Sequence, residues 1–403
     1  MPPFRAEHIG SLLRPPKLLA ERGKFARGEI DYCTLKKQED KDIRDAIQLQ
    51  EQLGLKFVTD GEFRRRSYHS FFYRRLGAIS IDMLQGVETE GTSNSSRRGT
   101  QPVAVIGSRV RWTNPINVED FAFLQSNTDR LPKITIPGPC ALHFRGGDAA
   151  VLAGAYKDID QFWSDIIEAF TKELNALWAA GCRYVQIDET AFAKFGDPDV
   201  LASLAARGDN WLQLIDKYIE VTNCVLSRAP EGLNIGIHLC RGNRGGRWHA
   251  EGSYEAIAER FFNVLDADFY FLEYDSPRSG DFTPLRFVPQ HKSIVLGLLS
   301  TKIPDLEERP VLHRRLDEAT KFVALERLSV SPQCGFASVD TGNPVTLEVQ
   351  RRKLELVLRP CARSLGRYLG CPLETGSQVV PFYFARTTSY LGLPFGDFNL
   401  RFT

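Results

Sequence analysis

The sequence predicts an α/β protein: a single (β/α)8 TIM barrel over residues 1–403, with a long insertion between its second and third strands. Three observations carry that expectation. Short β-rich apolar runs alternate with longer patterns of helical period, as in a parallel sheet covered on both faces. Eight such runs occur, the number that closes a barrel. No glycine-rich phosphate loop follows the first run, which disfavours a doubly wound open sheet.

The runs follow in order. The first ends at Ile9-Gly10-Ser11, the second covers 56–60 and the third 133–137. The others lie at 184–188, 233–240, 269–274, 293–299 and 328–334. Between them, residues 160–180 place Phe162, Trp163, Ile166, Phe170, Leu174 and Leu177 at helical spacings. Residues 210–226, 253–265 and 317–328 show the same period, and 346–369 reads as the closing helix. The insertion, about 76–130, contains β-like pieces at 102–106 and 110–113, which suggest a hairpin excursion. The aromatic C-terminal tail, about 374–403, is expected to pack on the barrel or on a neighbouring subunit of a homo-oligomer.

Composition narrows the function. With 43% apolar and 25% charged residues, the chain has the make-up of a globular protein with a sizeable core. A net charge of +1 gives no global field to recruit nucleic acid or a membrane. The basic runs Arg64-Arg65-Arg66 and Arg97-Arg98 read first as solvated faces. No stretch has the roughly 18 apolar residues of a membrane span, and the first residues do not form a signal peptide. Eight scattered cysteines make no disulfide framework, so a reducing, cytoplasmic setting is expected, with thiolates free for a metal.

In a (β/α)8 barrel the C-terminal strand ends point into one mouth. Here those ends carry Ser11, Asp60, Glu62, Asp188, Glu189, His238, Cys240, Glu273, Asp275 and Cys334. His238 and Cys240 share a strand face because side chains alternate with period two. Taken singly, each has a plainer explanation, as a small buried thiol or a hydrogen-bonded imidazole. Together with Glu273 and Cys334 they form a nitrogen, sulfur and oxygen donor set suited to Zn2+. Zinc lowers a thiol's pKa, so the expected chemistry is alkyl transfer to sulfur, with Glu273 yielding its place to the incoming thiol. Glu62 and Asp188 suit an ammonium, and Ser11 with nearby amides suits a carboxylate, which makes the acceptor an amino-acid-like thiol. The plainer reading of Glu62 is an ion pair with Arg64, Arg65 or Arg66, and that of Asp188 a loop-anchoring carboxylate.

With these residues in place, the chain resembles the catalytic barrel of cobalamin-independent methionine synthase. The resemblance runs through Ile9-Gly10-Ser11, Asp60-Gly61-Glu62-Phe63, Ile187-Asp188-Glu189, His238-Leu239-Cys240 and Pro332-Gln333-Cys334-Gly335, from residue 5 to about 370. Cys240-Arg241-Gly242-Asn243 is similar to the short, single-barrel branch; the second, N-terminal barrel of full-length synthases has no counterpart here. The resemblance implies a cytoplasmic methyltransferase of methionine biosynthesis. Its methyl would move from a methyl-folate donor, 5-methyltetrahydropteroyltriglutamate in the family, to the thiol of homocysteine. Zn2+ would rest on His238, Cys240, Glu273 and Cys334, and homocysteine on Ile9, Ser11, Glu62 and Asp188.

The donor half departs from the family. Its seventh-strand histidine is missing from Leu298-Leu299-Ser300-Thr301-Lys302, so Asp275 or a histidine, His249 rather than His291, is expected to replace it. A family glutamate that holds the pterin gives way near Lys194, and cover for the pterin is expected from His143 and Phe144. Two other readings use the same residues. One is a zinc-dependent thiol alkyltransferase or lyase with a non-folate electrophile such as an epoxide, where Lys194, Arg145 and Arg64 to Arg66 meet an anionic donor. The other is a non-catalytic zinc-binding barrel, which would have no use for Ser11, Glu62 and Asp188.

Overall fold

The computed structural model describes residues 4–76 and 106–369, with side chains through residue 358. Among these residues eight strands occur: β1 (Phe57–Val58), β2 (Leu131–Pro132), β3 (Ile134–Pro137), β4 (Tyr184–Asp188), β5 (Asn234–Leu239), β6 (Phe269–Glu273), β7 (Ser293–Leu299) and β8 (Leu328–Pro332). All pair in parallel, β3 to β8 as one sheet in sequence order and β1 with β2 as a separate pair. The third expected run, 133–137, thus begins one residue later as β3, and Lys133 links it to β2, its N–H donating to the Val58 carbonyl at 2.9 Å.

The first expected run corrects to a single bridge, Ala6 with Val330 of β8. Towards β1 this segment is held by Thr59 Oγ1 donating to the Gly10 carbonyl at 2.8 Å. The Leu12 N–H adds a bond to the Gly61 carbonyl at 3.0 Å. Among the described residues the ladders therefore make an α/β parallel sheet without a complete ring of strand pairings.

Apolar side chains still join distant strands. The ring of Phe57 on β1 lies 6.0 Å from that of Tyr184 on β4, which lies 5.9 Å from that of Phe269 on β6. Phe271 and Val295 complete this inner cluster. A Cβ on Gly236 would come within 2.2 Å of the Phe269 ring, so β5 needs glycine there. The buried Lys133 ammonium lies over the rings of Phe57, Tyr184 and Phe271 and pairs with Glu7 at 3.4 Å. A buried cation needs such a partner.

Four expected helices form at Ile159–Ala179, Trp211–Ser227, Glu255–Val264 and Leu347–Leu369. Asn210 caps the second, its Oδ1 accepting from the N–H groups of Leu212 and Gln213. The helix expected at 317–328 corrects to Arg309–Ala319. Its apolar face is Leu312, Leu316 and Ala319, and Pro310 fits its first turn. The apolar residues beyond Thr320 belong to a turn and to β8. No helix among the described residues is long and apolar enough to cross a membrane.

In the insertion, 110–113 is irregular backbone, which corrects the expected hairpin strand. Side chains replace a partner strand there. The Val110 N–H donates to Tyr156 Oη at 2.7 Å. The buried Glu173 carboxylate accepts from Trp112 Nε1 and from the N–H groups of Ile116 and Asn117, at 2.8, 2.8 and 2.7 Å. A helix, Val118–Ser126, follows. Arg97-Arg98, most of 102–106 and the tail 374–403 lie outside the described residues.

Candidate metal centre and active-site cavity

At the C-terminal end of the sheet, His238, Cys240 and Cys334 bring one imidazole nitrogen and two sulfurs within 4.8 Å of one another, all buried. The register explains the first two. His238 lies opposite Asp188 in the β4–β5 ladder, Leu239 turns into the core, and Cys240 follows on the same face as His238. Cys334 arrives two residues past β8, its position set by the Gln333 N–H donating to the Leu299 carbonyl at 2.8 Å.

Asp188 Oδ1 lies 2.9 Å from His238 Nδ1. A carboxylate only accepts, so Nδ1 carries a proton and Nε2 is the nitrogen left to face a metal. That Nε2 is buried with no hydrogen-bond partner. An orphaned imidazole nitrogen beside two thiols, with its other nitrogen fixed by a carboxylate, is the arrangement of a metal-binding histidine. These residues fit Zn2+. The two sulfurs share a charge. The S–H of Cys240 holds the Cys334 thiol down at about 6 against burial, with His238 and Lys302 adding to the effect. Its bond to Cys334, together with burial, pushes Cys240 well up.

Glu273 ends β6 but stands outside this trio. Its carboxylate accepts the Arg241 N–H at 2.6 Å, pairs closely with Arg278, and lies 3.6 Å from Lys302 Nζ. Burial alone would raise its pKa, but Lys302, Arg278 and Arg241 hold it at about 2. The end of β7, where the family's histidine is missing, thus supplies Lys302 as a partner for Glu273.

The trio opens on a cavity of about 250 Å³ that Ile9, Ser11, Glu62 and Asp188 also line. All four expected thiol contacts therefore meet the sulfurs in one space. Glu62 has φ +59°, the one non-glycine residue with positive φ among those described. That strain is offset by its N–H donating to Asp60 Oδ1 at 2.8 Å and by Arg14 donating to its carbonyl at 2.9 Å. Thr135 donates to Glu62 Oε1 at 2.8 Å, while Oε2 is buried and unpartnered. Burial, with Asp188 adding, pushes Glu62 up to about 7 against the pull of Arg65. The carboxyl is set to receive a cation.

Other expected residues divide. Lys194 and His249 line the cavity, whereas Asp275, His143 and Phe144 do not. Asp275 is tied to Arg278 at 2.9 Å. His143 is locked between Tyr218 Oη and Asp148, both at 2.8 Å, and Phe144 packs edge-on against Phe195. Arg64 pairs with Asp40, Asp120 and Glu39, and Arg66 with Asp340, so neither reaches the cavity. Tyr68, His69, Thr190 and Arg244 line it without having been anticipated. Reading the strand-end loop on from Glu62 through Ser67 would have reached the first two. Nothing in the sequence marks Thr135, whose role depends on facing Glu62 across the fold.

Comparison with known proteins identifies the family. The family pattern described as "Cobalamin-independent synthase, Catalytic domain" matches residues 4–350. The uncharacterised Bacillus subtilis protein YxjG is 38% identical over 361 residues, covering 89% of this chain and 93% of that protein. A 5-methyltetrahydropteroyltriglutamate–homocysteine methyltransferase of Mycolicibacterium paratuberculosis is 28% identical over 85% of this chain, which spans only 41% of that longer enzyme. The crystal structure of the protein assigned as the vitamin-B12 independent methionine synthase of Listeria monocytogenes superposes with a TM-score of 0.67. It is 30% identical and covers 89% of this chain and 97% of its own. Family pattern, relatives and superposition thus converge, and the chain belongs to the cobalamin-independent synthase family, as a transferase of the methionine-synthase-like, methyl-transferring kind.

Proposed function

We propose that the chain moves a methyl group from a methyl-folate-type donor to the thiol of homocysteine, forming methionine, with Zn2+ held by His238, Cys240 and Cys334. The carrying observation is that these three donors share one cavity with Glu62, Asp188, Ser11 and Ile9. Zinc bound there would ionise the substrate thiol at neutral pH. Glu62 Oε2 takes the substrate ammonium, with Asp188 beside it, and Ser11 takes the carboxylate. Ile9 packs on the methylenes. Glu273, tied here to Lys302 and Arg278, would be the fourth residue to hold the ion in this reading. The sulfur–carbon bond forms as the carbon–nitrogen bond of the donor breaks. Its electron pair leaves with the donor, which takes up a proton, and the thiol proton passes to solvent. His249, on the cavity wall, is held neutral by burial and the nearby cations, so the donor's proton comes from solvent.

The same reading places the site in the mouth of a closed (β/α)8 barrel, sealed by the Thr59–Gly10 and Leu12–Gly61 bonds. A cytoplasmic enzyme of methionine biosynthesis would meet both substrates. Thiol alkylation from a non-folate electrophile is the second reading, favoured by Lys194 and Arg145 on the donor side of the cavity. The test is methionine formation with monoglutamyl and polyglutamyl methyl-folate, alongside other alkyl donors, with zinc content measured in the wild type and Cys334→Ser. One zinc per chain, lost in the variant, and methionine from a methyl-folate are expected. No methionine from either folate sinks the methyl-folate assignment, and zinc retained in Cys334→Ser sinks the metal site.

A further inference from the structure

Among the described residues the cavity wall carries two carboxylates, Glu62 and Asp188, and four cations, Arg74, Arg145, Lys194 and Arg244. Arg145 lies on the helix Ala141–Leu152 that follows β3, and Lys194 ends the 3-10 turn Phe192–Lys194 that follows β4. Because β3 and β4 are ladder neighbours, both cations stand over one side of the mouth. Among the described residues neither pairs with a carboxylate, and the Lys194 ammonium instead lies 5.0 Å from the centre of the Phe144 ring.

This positive charge is felt by its neighbours. Burial, with Arg145 adding, pulls Lys194 down to about 8. Burial also holds His249 near 3, with Lys194, Arg145 and Arg244 adding to the effect. Like charges crowded in a low-dielectric wall are unfavourable. A bound anion relieves that repulsion and gains charge-assisted hydrogen bonds.

We propose that Arg145 and Lys194 form an oxyanion site for a phosphate, sulfonate or carboxylate group carried by the second substrate. The inference rests on reading this cavity as an alkyl-transfer site, and it assigns the donor a class: molecules that carry an anionic group. Arg145 and Lys194 line the same cavity as the sulfurs of Cys240 and Cys334. Donors lacking the anion would leave the two half-buried cations facing an apolar group, which selects against them.

The test is calorimetric titration of inorganic phosphate, methanesulfonate and acetate into the full-length chain stripped of metal by a chelator. Saturable binding of at least one is expected, and the strongest of the three identifies the oxyanion. Loss of one charge-assisted partner should weaken it about tenfold or more in Lys194→Met and in Arg145→Met, while Lys194→Arg retains it. Cooperative thermal unfolding of each variant separates loss of the site from loss of the fold, and either variant alone suffices. Absence of saturable binding by all three, or binding indifferent to both substitutions, overturns the proposal. The titration needs neither zinc nor turnover, so it reports on the anion site even if homocysteine is not the acceptor. Methionine formation without anion binding would overturn this inference alone.

Discussion

Asp188→Asn isolates the charge behind the candidate metal ligand while preserving its size. Asp188 Oδ1 accepts from His238 Nδ1 at 2.9 Å and from Gln186 Nε2 at 2.7 Å, in a nearly fully buried setting. Asparagine can still accept through its oxygen, but both bonds become neutral. A bond to a charged group is worth about 1.5–3 kcal/mol and a neutral one about 0.5–1.5 kcal/mol. The His238 bond therefore loses about 1–2 kcal/mol, which corresponds to about five- to thirtyfold in an equilibrium constant. That loss falls on metal binding, because the carboxylate fixes the tautomer and raises the basicity of the free Nε2. Zinc affinity should weaken by about five- to thirtyfold, read by competition with a chromogenic chelator at constant pH. Affinity within about twofold of wild type would refute the idea that Asp188 tunes His238 for a metal.

Further outcomes follow from contacts of three other residues. Because burial raises the Glu62 pKa from 4.5 to about 7, its contribution to stability is whole below 4.5 and is lost as pH rises through about 7. Urea denaturation should therefore show a fall across that window that Glu62→Gln removes. Methionine, which has no thiol to titrate, should bind more tightly as pH rises towards about 7 and then level off, a dependence also lost in Glu62→Gln. Glu173→Gln turns an amide NH2 towards donors that now meet a carboxylate. It should cost about 2–4 kcal/mol and speed limited proteolysis of the 106–117 segment; unchanged cleavage would count against that anchor. A Cβ on Gly335 would lie 1.8 Å from Ser11 Oγ. Gly335→Ala should therefore lower stability by about 1–3 kcal/mol and weaken methionine binding through a displaced Ser11, both measurable in one calorimetric series.

Several elements were legible because local chemistry decides them. Strand β7 occupies the expected run in full, and the helix Ile159–Ala179 follows its apolar period to within one residue. The helix Arg309–Ala319 was misplaced because the apolar residues after Thr320 continue a helical rhythm that turns and strand burial also satisfy. Residues 110–113 carry β-type side chains, yet the Glu173 carboxylate and Tyr156 hydroxyl bond the backbone in and around them. No local pattern announces a partner some fifty residues away.

The site divides along the same line. Period-two alternation alone put His238 and Cys240 on one face, and the strand-end pattern named Cys334, Glu62, Asp188 and Ser11, which the cavity unites. Only the tertiary structure could decide that Glu273 spends its charge on Lys302 and Arg278. It also decided that Arg65 serves Thr135 at 2.8 Å, and that His143 is locked into the core instead of facing the donor. A residue's type and its place on a strand are local properties, so the sequence by itself determined which groups could reach the mouth. Which charge neutralises which depends on through-space distance between segments far apart in the chain, and that only the packed fold decides.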